Sequence, residues 1–539
     1  MTSFALRNVR RRTVATVATV ALTATVSVAA VTASSAQASS ESKPVAASLN
    51  LETATVQQLH ELFMAGKISA VQLGNLYLAR IKSMNTSGPG LNAVRNINPQ
   101  WEADAKNVDK LRARGVDLGP MMGIPILVKD NVDVAGLPTT AGSVALAHSY
   151  PAKDAPQITQ LKASGAVILG KANMAEFAYW MTSGAPNGYS SLGGQVLNPY
   201  DAALNPGGSS SGSGSAVAAG LVPAAVGSDT GGSILQPSSF MSDIGIRPTV
   251  GLISRSGVIP ISATSDTTGP IAHTVWDAAA MLSAMTTGVD SADPATATAG
   301  PYKHFDYTKA LSTTSLQGAR LGYVVPAIPD PLFDAALQAL RDQGATMVPV
   351  DINSANLPTR VWDYEFKKGL NAYLGQLPKQ DPVRTLEAVI AYNKAHPAVA
   401  LKFGETLLEQ SQAINLNDPA TVQANESLIT QGLADARGRI DTTLHNNNIT
   451  AIVFAGTSGN TNAARAAYPA VMARAGYQAG TLHPEGLEFV GTGYSEATLL
   501  SYAYDYEQAT KLWQPPSVIN PTLFRCVGPY VVDRTTCAP

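Results

Sequence analysis

Glycine and serine are concentrated in two segments of the sequence, residues 206–215 and residues 227–234. Because glycine has no Cβ, the backbone of such a segment can turn several N–H groups towards one point. A serine hydroxyl beside N–H donors of this kind has what a nucleophile with an oxyanion hole requires. The second segment contains the candidates for this arrangement, which are Thr230, Gly231, Gly232 and Ser233. A flexible linker would share this composition, but the small apolar residues of 216–226 suit a buried helix instead.

Two other short patterns offer alternative chemistry. Residues 208–212 match the GxSxG nucleophile elbow of α/β-hydrolases, which would make Ser210 the nucleophile of an esterase with a histidine as base. The pattern arises easily in a stretch rich in Ser and Gly, and no HGG-type oxyanion motif precedes it. Residues 165–171 nearly match a phosphate-binding loop, but Ala172 stands where that loop needs Ser or Thr for Mg²⁺. We therefore expect no nucleotide site there.

Alternating strand and helix patterns surround the Gly/Ser segments and must position them. Buried strands are predicted at residues 123–129 and 165–170, with a helix around residues 155–163 between them. Residues 357–445 have mainly helical patterns. This alternation indicates an α/β fold. The sequence shows no internal repeat and no domain break after residue 48, so residues 48–515 are predicted to form one catalytic domain.

The N-terminus has the layout of a secretory signal peptide. A basic cluster is followed by an uncharged stretch, residues 13–31, and by a small-residue cleavage site at Ala36-Gln-Ala38. The uncharged stretch consists mainly of Ala, Thr and Val, so it is weakly hydrophobic for a membrane anchor. We predict removal of residues 1–38 and secretion of the remaining chain, with residues 39–47 as a linker. General secretory and twin-arginine export both stay open.

Cysteine occurs only near the C-terminus, at Cys526 and Cys537. In an oxidising compartment an isolated pair most simply forms a disulfide, which predicts a small loop within a tail of residues 516–539. The seven histidines are not spaced as ligand pairs, and the sequence has no HExxH or CxxC motif. We predict neither a metal site nor a cofactor.

Charged residues are scarce, and their balance excludes some classes of partner. Only 14% of the 539 residues are charged, against about 25% in an ordinary soluble protein. Loss of residues 1–38, which carry four arginines and no acidic residue, changes the net charge from −2 to −6. A negative chain of this kind is not expected to bind nucleic acid. No later segment resembles a membrane span, so we expect no membrane association after cleavage.

Several blocks of the sequence, in order and at compatible spacings, resemble the amidase signature family. The Gly/Ser-rich region from Gly207 to Ile234 is similar to the signature itself. Further similar blocks include Gly119-Pro-Met-Met-Gly-Ile-Pro-Ile-Leu-Val-Lys129, Thr139-Thr-Ala-Gly-Ser143, Asp266-Thr-Thr-Gly-Pro270 and Gly486-Leu-Glu-Phe-Val-Gly491. The resemblance covers about residues 50–512. It implies an α/β fold with a large twisted mixed β-sheet, covered on both faces by helices.

The resemblance also implies a Ser–Ser–Lys triad. Carried over onto this sequence, the base, the bridging serine on a cis peptide and the acyl-accepting nucleophile are Lys129, Ser209 and Ser233. The oxyanion-hole N–H groups are those of Thr230, Gly231 and Gly232, with Ser233. A lysine acts as a base only when it is neutral, and burial at the end of an apolar strand would lower the pKa of Lys129. Asp229, Asn173 and Glu176 are expected to support the site rather than to react.

The expected substrates also follow from the resemblance, which is strongest to the peptide amidase branch around residues 178–200 and 208–213. Enzymes of that branch remove the C-terminal amide of peptides and release ammonia. A peptide amide, or a small aliphatic or aryl amide, is therefore implied, with no obligate partner protein. Trp180 and Tyr189 are candidate pocket residues, and Leu235 stands where many members have an Arg that could bind a carboxylate. A non-catalytic binding protein on the same fold is the other alternative.

Overall fold

The computed structural model describes residues 49–352, 361–379 and 381–521. The predicted signal peptide and linker, and the predicted disulfide of Cys526 with Cys537, lie outside the described residues.

Helices form in the stretches between the strands and in one long region after residue 360. In chain order they are α1 Val56–Met64, α2 Ala70–Met84, α3 Trp101–Ala113, α4 Pro156–Ala163, α5 Ser211–Ala218, α6 Leu235–Phe240, α7 Val275–Met285, α8 Pro331–Asp342, α9 Trp362–Gly375, α10 Leu386–Ala395, α11 Pro397–Ala400, α12 Thr406–Ala413, α13 Pro419–Asn446, α14 Asn460–Ala466, α15 Glu496–Thr510 and α16 Pro516–Ile519. Helix α2 shows how local sequence sets a boundary, since Ser69 and Gln72 form a reciprocal capping box at its first turn.

The strands form one large mixed sheet and a separate small hairpin. In chain order they are β1 Val94–Ile97, β2 Pro125–Lys129, β3 Val167–Ala172, β4 Tyr189–Ser190, β5 Gly194–Gln195, β6 Ala224–Asp229, β7 Ile244–Arg247, β8 Thr267–Ala272, β9 Arg320–Val324, β10 Thr346–Val350, β11 Ala451–Ala455, β12 Ala470–Tyr477 and β13 Pro484–Val490. The large sheet has 11 strands in the order β1-β3-β2-β6-β8-β7-β12-β13-β11-β9-β10. Strand β2 is parallel to β3 and β6, whereas β6 is antiparallel to β8. The mixed α/β sheet expected from the sequence is confirmed.

Both faces of the sheet are covered. Every residue of β2, β6 and β8 is buried, a pattern typical of strands with packing on both sides. In β11, Val453 joins one apolar cluster and its neighbour Ile452 joins another, as alternation of side chains across a sheet requires. The central strands are therefore buried on both faces, and groups that can meet a substrate lie at their ends.

The parallel pair β2 and β6 brings two Gly/Ser segments and the lysine together. Val128 pairs with Val226, so Lys129 at the end of β2 lies beside Ser228 near the end of β6. Helix α5 begins directly after Ser209 and Ser210, and Ser213 ties it to β6 by donating to the Val226 carbonyl at 2.9 Å. Ligands of α/β sheets commonly bind at such carboxyl ends of strands.

Candidate active site

Lys129 is fully buried, and its ammonium nitrogen contacts both serines that neighbour it. Nζ lies 2.8 Å from Oγ of Ser209, 2.9 Å from Oγ of Ser228 and 3.2 Å from the Ser228 carbonyl. Burial lowers the pKa of Lys129 to about 7, although the nearby carboxylates of Asp229 and Asp266 favour the charged form. A large fraction of this amine is therefore neutral near neutral pH, as a base requires.

Ser209 is held by the loop that precedes α5. The Gly208–Ser209 peptide bond is cis, and Ser209 is fully buried. The side chain of Gln236 accepts a hydrogen bond from the N–H of Gly208 at 3.1 Å. Gly207 has a φ of +66°, and a Cβ there would lie 2.8 Å from Pro237. This close approach, which only glycine permits, seats the loop on α6 directly beyond Ser233.

Ser233 is half-buried on a turn. The residues on either side of it donate hydrogen bonds to one member of a buried ion pair. The Asp229 carboxylate accepts from the N–H of Gly232 at 2.8 Å and from the N–H of Ile234 at 2.7 Å. Arg247, also fully buried, donates to the same carboxylate at 2.7 Å. Asp229 therefore supports the turn by hydrogen bonding, in the way the sequence suggests. The carbonyl of Ser233 in turn accepts from the N–H of Ser210 at 3.1 Å.

The N–H groups available to an oxyanion are fewer than the sequence indicates. Because the N–H of Gly232 donates to Asp229, this group is already committed. The N–H groups of Thr230, Gly231 and Ser233 have no acceptor among the residues that the structure describes. Gly231 is exposed, and Thr230 beside it is anchored by its hydroxyl, which donates to Asp266 at 2.6 Å. Of the N–H groups expected from the resemblance, those of Thr230, Gly231, Gly232 and Ser233, only that of Gly232 is thus engaged elsewhere.

Ser210 does not have the surroundings of an esterase nucleophile. Its hydroxyl donates to the Ser228 carbonyl at 3.0 Å and accepts from the Ser228 N–H at 3.2 Å. The residue is fully buried, and no histidine in the described part of the chain hydrogen-bonds to it. Backbone contacts therefore occupy the hydroxyl that the GxSxG pattern singled out.

The two candidate pocket residues lie in different aromatic groups. Trp180 packs edge-on against Trp362 with ring centroids 5.5 Å apart, and its indole N–H donates to Ser411 at 3.1 Å. Tyr189 packs against Phe403 at 4.7 Å. Trp362 itself contacts the site, since a Cβ on Gly231 would lie 2.8 Å from its ring. Sequence reasoning missed Trp362, because only the fold brings α9 to the Gly/Ser turn.

Asn173 and Glu176 hold a loop next to the site. The Asn173 amide donates to the carbonyls of Asn92 at 3.0 Å and Gly193 at 3.1 Å. Glu176 accepts from the N–H and the hydroxyl of Ser191 at 2.7 and 2.9 Å. Burial raises the pKa of Glu176 to about 7, although these hydrogen bonds favour the ionised form. Both residues have the supporting contacts that the sequence suggests.

Metal-ligand clusters and membrane-spanning helices are both absent from the part of the chain that the structure describes. Residues 49–352, 361–379 and 381–521 contain no group of three or more His, Cys, Asp or Glu side chains placed to hold a metal ion. In the same ranges, no helix combines the length and the apolar character needed to cross a bilayer.

Comparisons with known proteins agree with this geometry. A family model described as Amidase matches residues 73–413. A protein of Arabidopsis thaliana described as a "probable amidase" is 37% identical over 492 residues, which are 88% of this chain and 93% of that protein. The crystal structure of native peptide amidase from Stenotrophomonas maltophilia has 38% identity and a TM-score of 0.79, covering 86% of this chain and 98% of that one. The crystal structure of an amidase family protein from Bacillus anthracis has 35% identity and a TM-score of 0.82, covering 86% of this chain and 92% of that one. The chain belongs to the amidase family and is a hydrolase of carbon–nitrogen bonds in linear amides.

Proposed function

We propose that this chain hydrolyses the C-terminal carboxamide of peptides, or a small aliphatic or aryl amide, to the acid and ammonia or an amine. One observation carries the proposal, namely the buried Lys129 amine at 2.8 Å from the Ser209 hydroxyl with a pKa lowered to about 7. A serine is a poor nucleophile unless a base takes its proton, and this arrangement supplies that base without a histidine.

The first half of the reaction forms an acyl-enzyme. Neutral Lys129 accepts the proton of Ser209, and Ser209 accepts the proton of Ser233 as the Ser233 oxygen attacks the amide carbon. The N–H groups of Gly231 and Ser233 stabilise the negative oxygen of the tetrahedral intermediate. When the carbon–nitrogen bond breaks, the proton returns from Lys129 through Ser209 to the leaving nitrogen. Ammonia departs, and the acyl group stays on Ser233.

The second half releases the acid. A water molecule enters the position that ammonia left, and the same pair of residues removes its proton as it attacks the acyl carbon. The carbon–oxygen bond to Ser233 then breaks, and the proton returns to the Ser233 oxygen. One water is consumed for each amide, and no other reactant is needed.

The peptide amide is the substrate that the similarity favours. The solved peptide amidase covers nearly the same part of this chain as the amidase family protein does, at a slightly higher identity. Leu235 is fully buried beside Ser233, where an Arg would offer a charge to a substrate carboxylate. An amide without a free carboxylate near the reacting carbon suits this apolar environment better.

Export and independence of partner proteins belong to the same proposal. The basic cluster before residue 13 and the Ala36-Gln-Ala38 site support secretion of a chain that starts at Ser39. Every proposed catalytic group, Lys129, Ser209 and Ser233, is on this one chain. We therefore propose an enzyme that works outside the cell without an obligate partner subunit.

The test measures ammonia. We expect the purified chain to release ammonia from a blocked peptide amide and none from the matching free acid. Ser233→Ala should abolish this release of ammonia. A second measurement is labelling by a fluorophosphonate-type serine probe, which Ser210→Ala should retain. Full turnover by Ser233→Ala would refute the assigned nucleophile. Loss of labelling in Ser210→Ala, with Lys129→Ala unaffected, would favour the esterase alternative.

A further inference from the structure

A groove lies directly beside the N–H groups proposed to bind the oxyanion. Its walls come from the start of α9, from the middle of α13, from the loop before β8 and from α14. We call it the Trp362 groove, and its defining residues are Thr264, Ser265, Trp362, Leu428, Ile429 and Leu433. The charged residues Glu365 and Arg465 also line it.

One groove residue, Trp362, contacts the reacting centre, and the loop of Ser265 continues into it. The ring of Trp362 lies against Gly231, where a Cβ would be 2.8 Å from the ring. On the other side, Ser265 is followed by Asp266, whose carboxylate accepts from the Thr230 hydroxyl at 2.6 Å. A substrate whose carbonyl oxygen sits at Gly231 therefore has the groove as its immediate neighbour.

One wall of the groove is an apolar face of α13. Ile429 and Leu433 are four residues apart on α13, so they share one face of the helix, and Leu428 beside them is 45% exposed. The residues that α13 buries in the core lie further along, at Ala436, Ile440 and Leu444. In the described part of the chain, Leu428, Ile429 and Leu433 belong to none of the buried apolar clusters, so a ligand on this face would remove apolar surface from water.

The carboxylate at the floor of the groove is already occupied. Glu365 accepts from the Ser262 hydroxyl at 2.7 Å, the Thr264 hydroxyl at 2.6 Å and the Thr264 N–H at 3.0 Å. These bonds hold the loop wall in place. Glu365 thus shapes the groove instead of presenting a charge to an incoming cation.

We propose that the Trp362 groove binds a large apolar side chain, aromatic or branched aliphatic, on the acyl residue next to the reacting carboxamide. This inference rests on the proposed function. Departing ammonia has no side chain, so only the acyl part of a peptide amide can fill a groove beside the carbonyl. Burial of apolar surface against Trp362 and α13 stabilises the complex, and a small side chain such as that of Ala buries much less of this surface.

Trp180 acts in this arrangement as a positioning residue. Its ring packs on Trp362, and its indole N–H donates a hydrogen bond to the Ser411 hydroxyl. That hydroxyl in turn donates to Asp363, the neighbour of Trp362 in α9, at 2.9 Å. Trp180 therefore fixes the orientation of Trp362 without lining the groove.

The test compares blocked dipeptide amides that differ only in their last residue. For the unaltered enzyme we expect kcat/KM to be at least about tenfold higher for the Phe or Leu amide than for the Ala amide. The double variant Ile429→Ser, Leu433→Ser should lower kcat/KM for the Phe amide about tenfold and change the Ala amide less than about twofold. Both side chains are partly exposed, so this variant should fold.

A matched control replaces an apolar side chain elsewhere on the surface. Ile328 is 79% exposed and is not a groove residue, so Ile328→Ser should leave both rates unchanged.

Calorimetric measurement of amide binding to the Ser233→Ala variant separates this inference from the proposed function. Preferential binding of the Phe amide without ammonia release from the active enzyme would refute the proposed function and leave the groove supported. Equal affinities and equal kcat/KM values for the Phe and Ala amides would overturn the proposed role of the groove. An equal loss of kcat/KM for both amides in the double variant would also overturn it.

Discussion

At the scale of single residues, the protonation state of Lys129 decides whether the site is ready to react. A neutral amine has two N–H donors and one lone pair. The Ser228 carbonyl and hydroxyl can take the two donors, which leaves the lone pair for the Ser209 hydroxyl at 2.8 Å. The protonated form instead donates to all three oxygens and cannot accept a proton. Ser228 thus orients the base as well as contacting it.

The pH dependence of the reaction follows from this arrangement. The folded-state pKa of Lys129 is about 7, below its ordinary value, so the inactive protonated form dominates below that pH. We expect kcat/KM for a peptide amide to rise with pH and to be half-maximal near pH 7. Lys129→Arg, which stays charged, should lose activity at least about 10²-fold at every pH tested. A rate that is flat through neutral pH, or that rises only near the ordinary lysine pKa, would contradict the assignment.

At the scale of elements, close packing between α2 and α3 depends on a missing side chain. Gly74 lies in α2, and a Cβ there would meet the ring of Trp101, the first residue of α3. Gly438 lies in α13 with open space around it. The two positions therefore separate the packing effect of a methyl group from its effect on helix propensity.

We predict opposite signs for the same substitution at these two positions. Gly74→Ala should lower the free energy of unfolding by about 1–3 kcal/mol, because Trp101 or the helix must shift. Gly438→Ala should raise it by about 0.5–1 kcal/mol, because Ala loses less conformational freedom in a helix than Gly. Urea unfolding of both variants measures the difference. Destabilisation of similar size at both positions would show that the Trp101 contact is not the cause.

The same scale shows what sequence can and cannot predict. The strand that ends at Lys129 and the Gly/Ser turns of Ser209 and Ser233 were predictable, because each lies within a contiguous segment with its own pattern. The hydrogen bond from the Gly232 N–H to Asp229 could not be predicted, because it depends on the conformation of the folded turn. The contact of Trp362 with Gly231 joins residues more than a hundred positions apart, and no local period encodes it.

At the scale of the whole molecule, one sheet gathers the reacting groups from separate parts of the chain. The parallel pairing of β2 with β6 places Lys129 beside Ser228, and Arg247 at the end of β7 reaches back to Asp229. Strand β7 is itself paired with β12. The turn that bears Ser233 is thus fixed by strands from the middle and the late part of the chain, so a truncation before β12 should destroy the site.

The last prediction concerns the two ends of the chain, which the proposed export links. If the chain passes into an oxidising compartment, Cys526 and Cys537 should form a disulfide there, and the same molecule should begin at Ser39. Intact mass spectrometry of protein recovered from the culture medium checks both, since reduction should add the mass of two hydrogen atoms. Cys526→Ser is the control, because its mass should not change on reduction in the monomer. A retained Met1 in the recovered protein, or free thiols at both cysteines, would contradict the expected processing and bond.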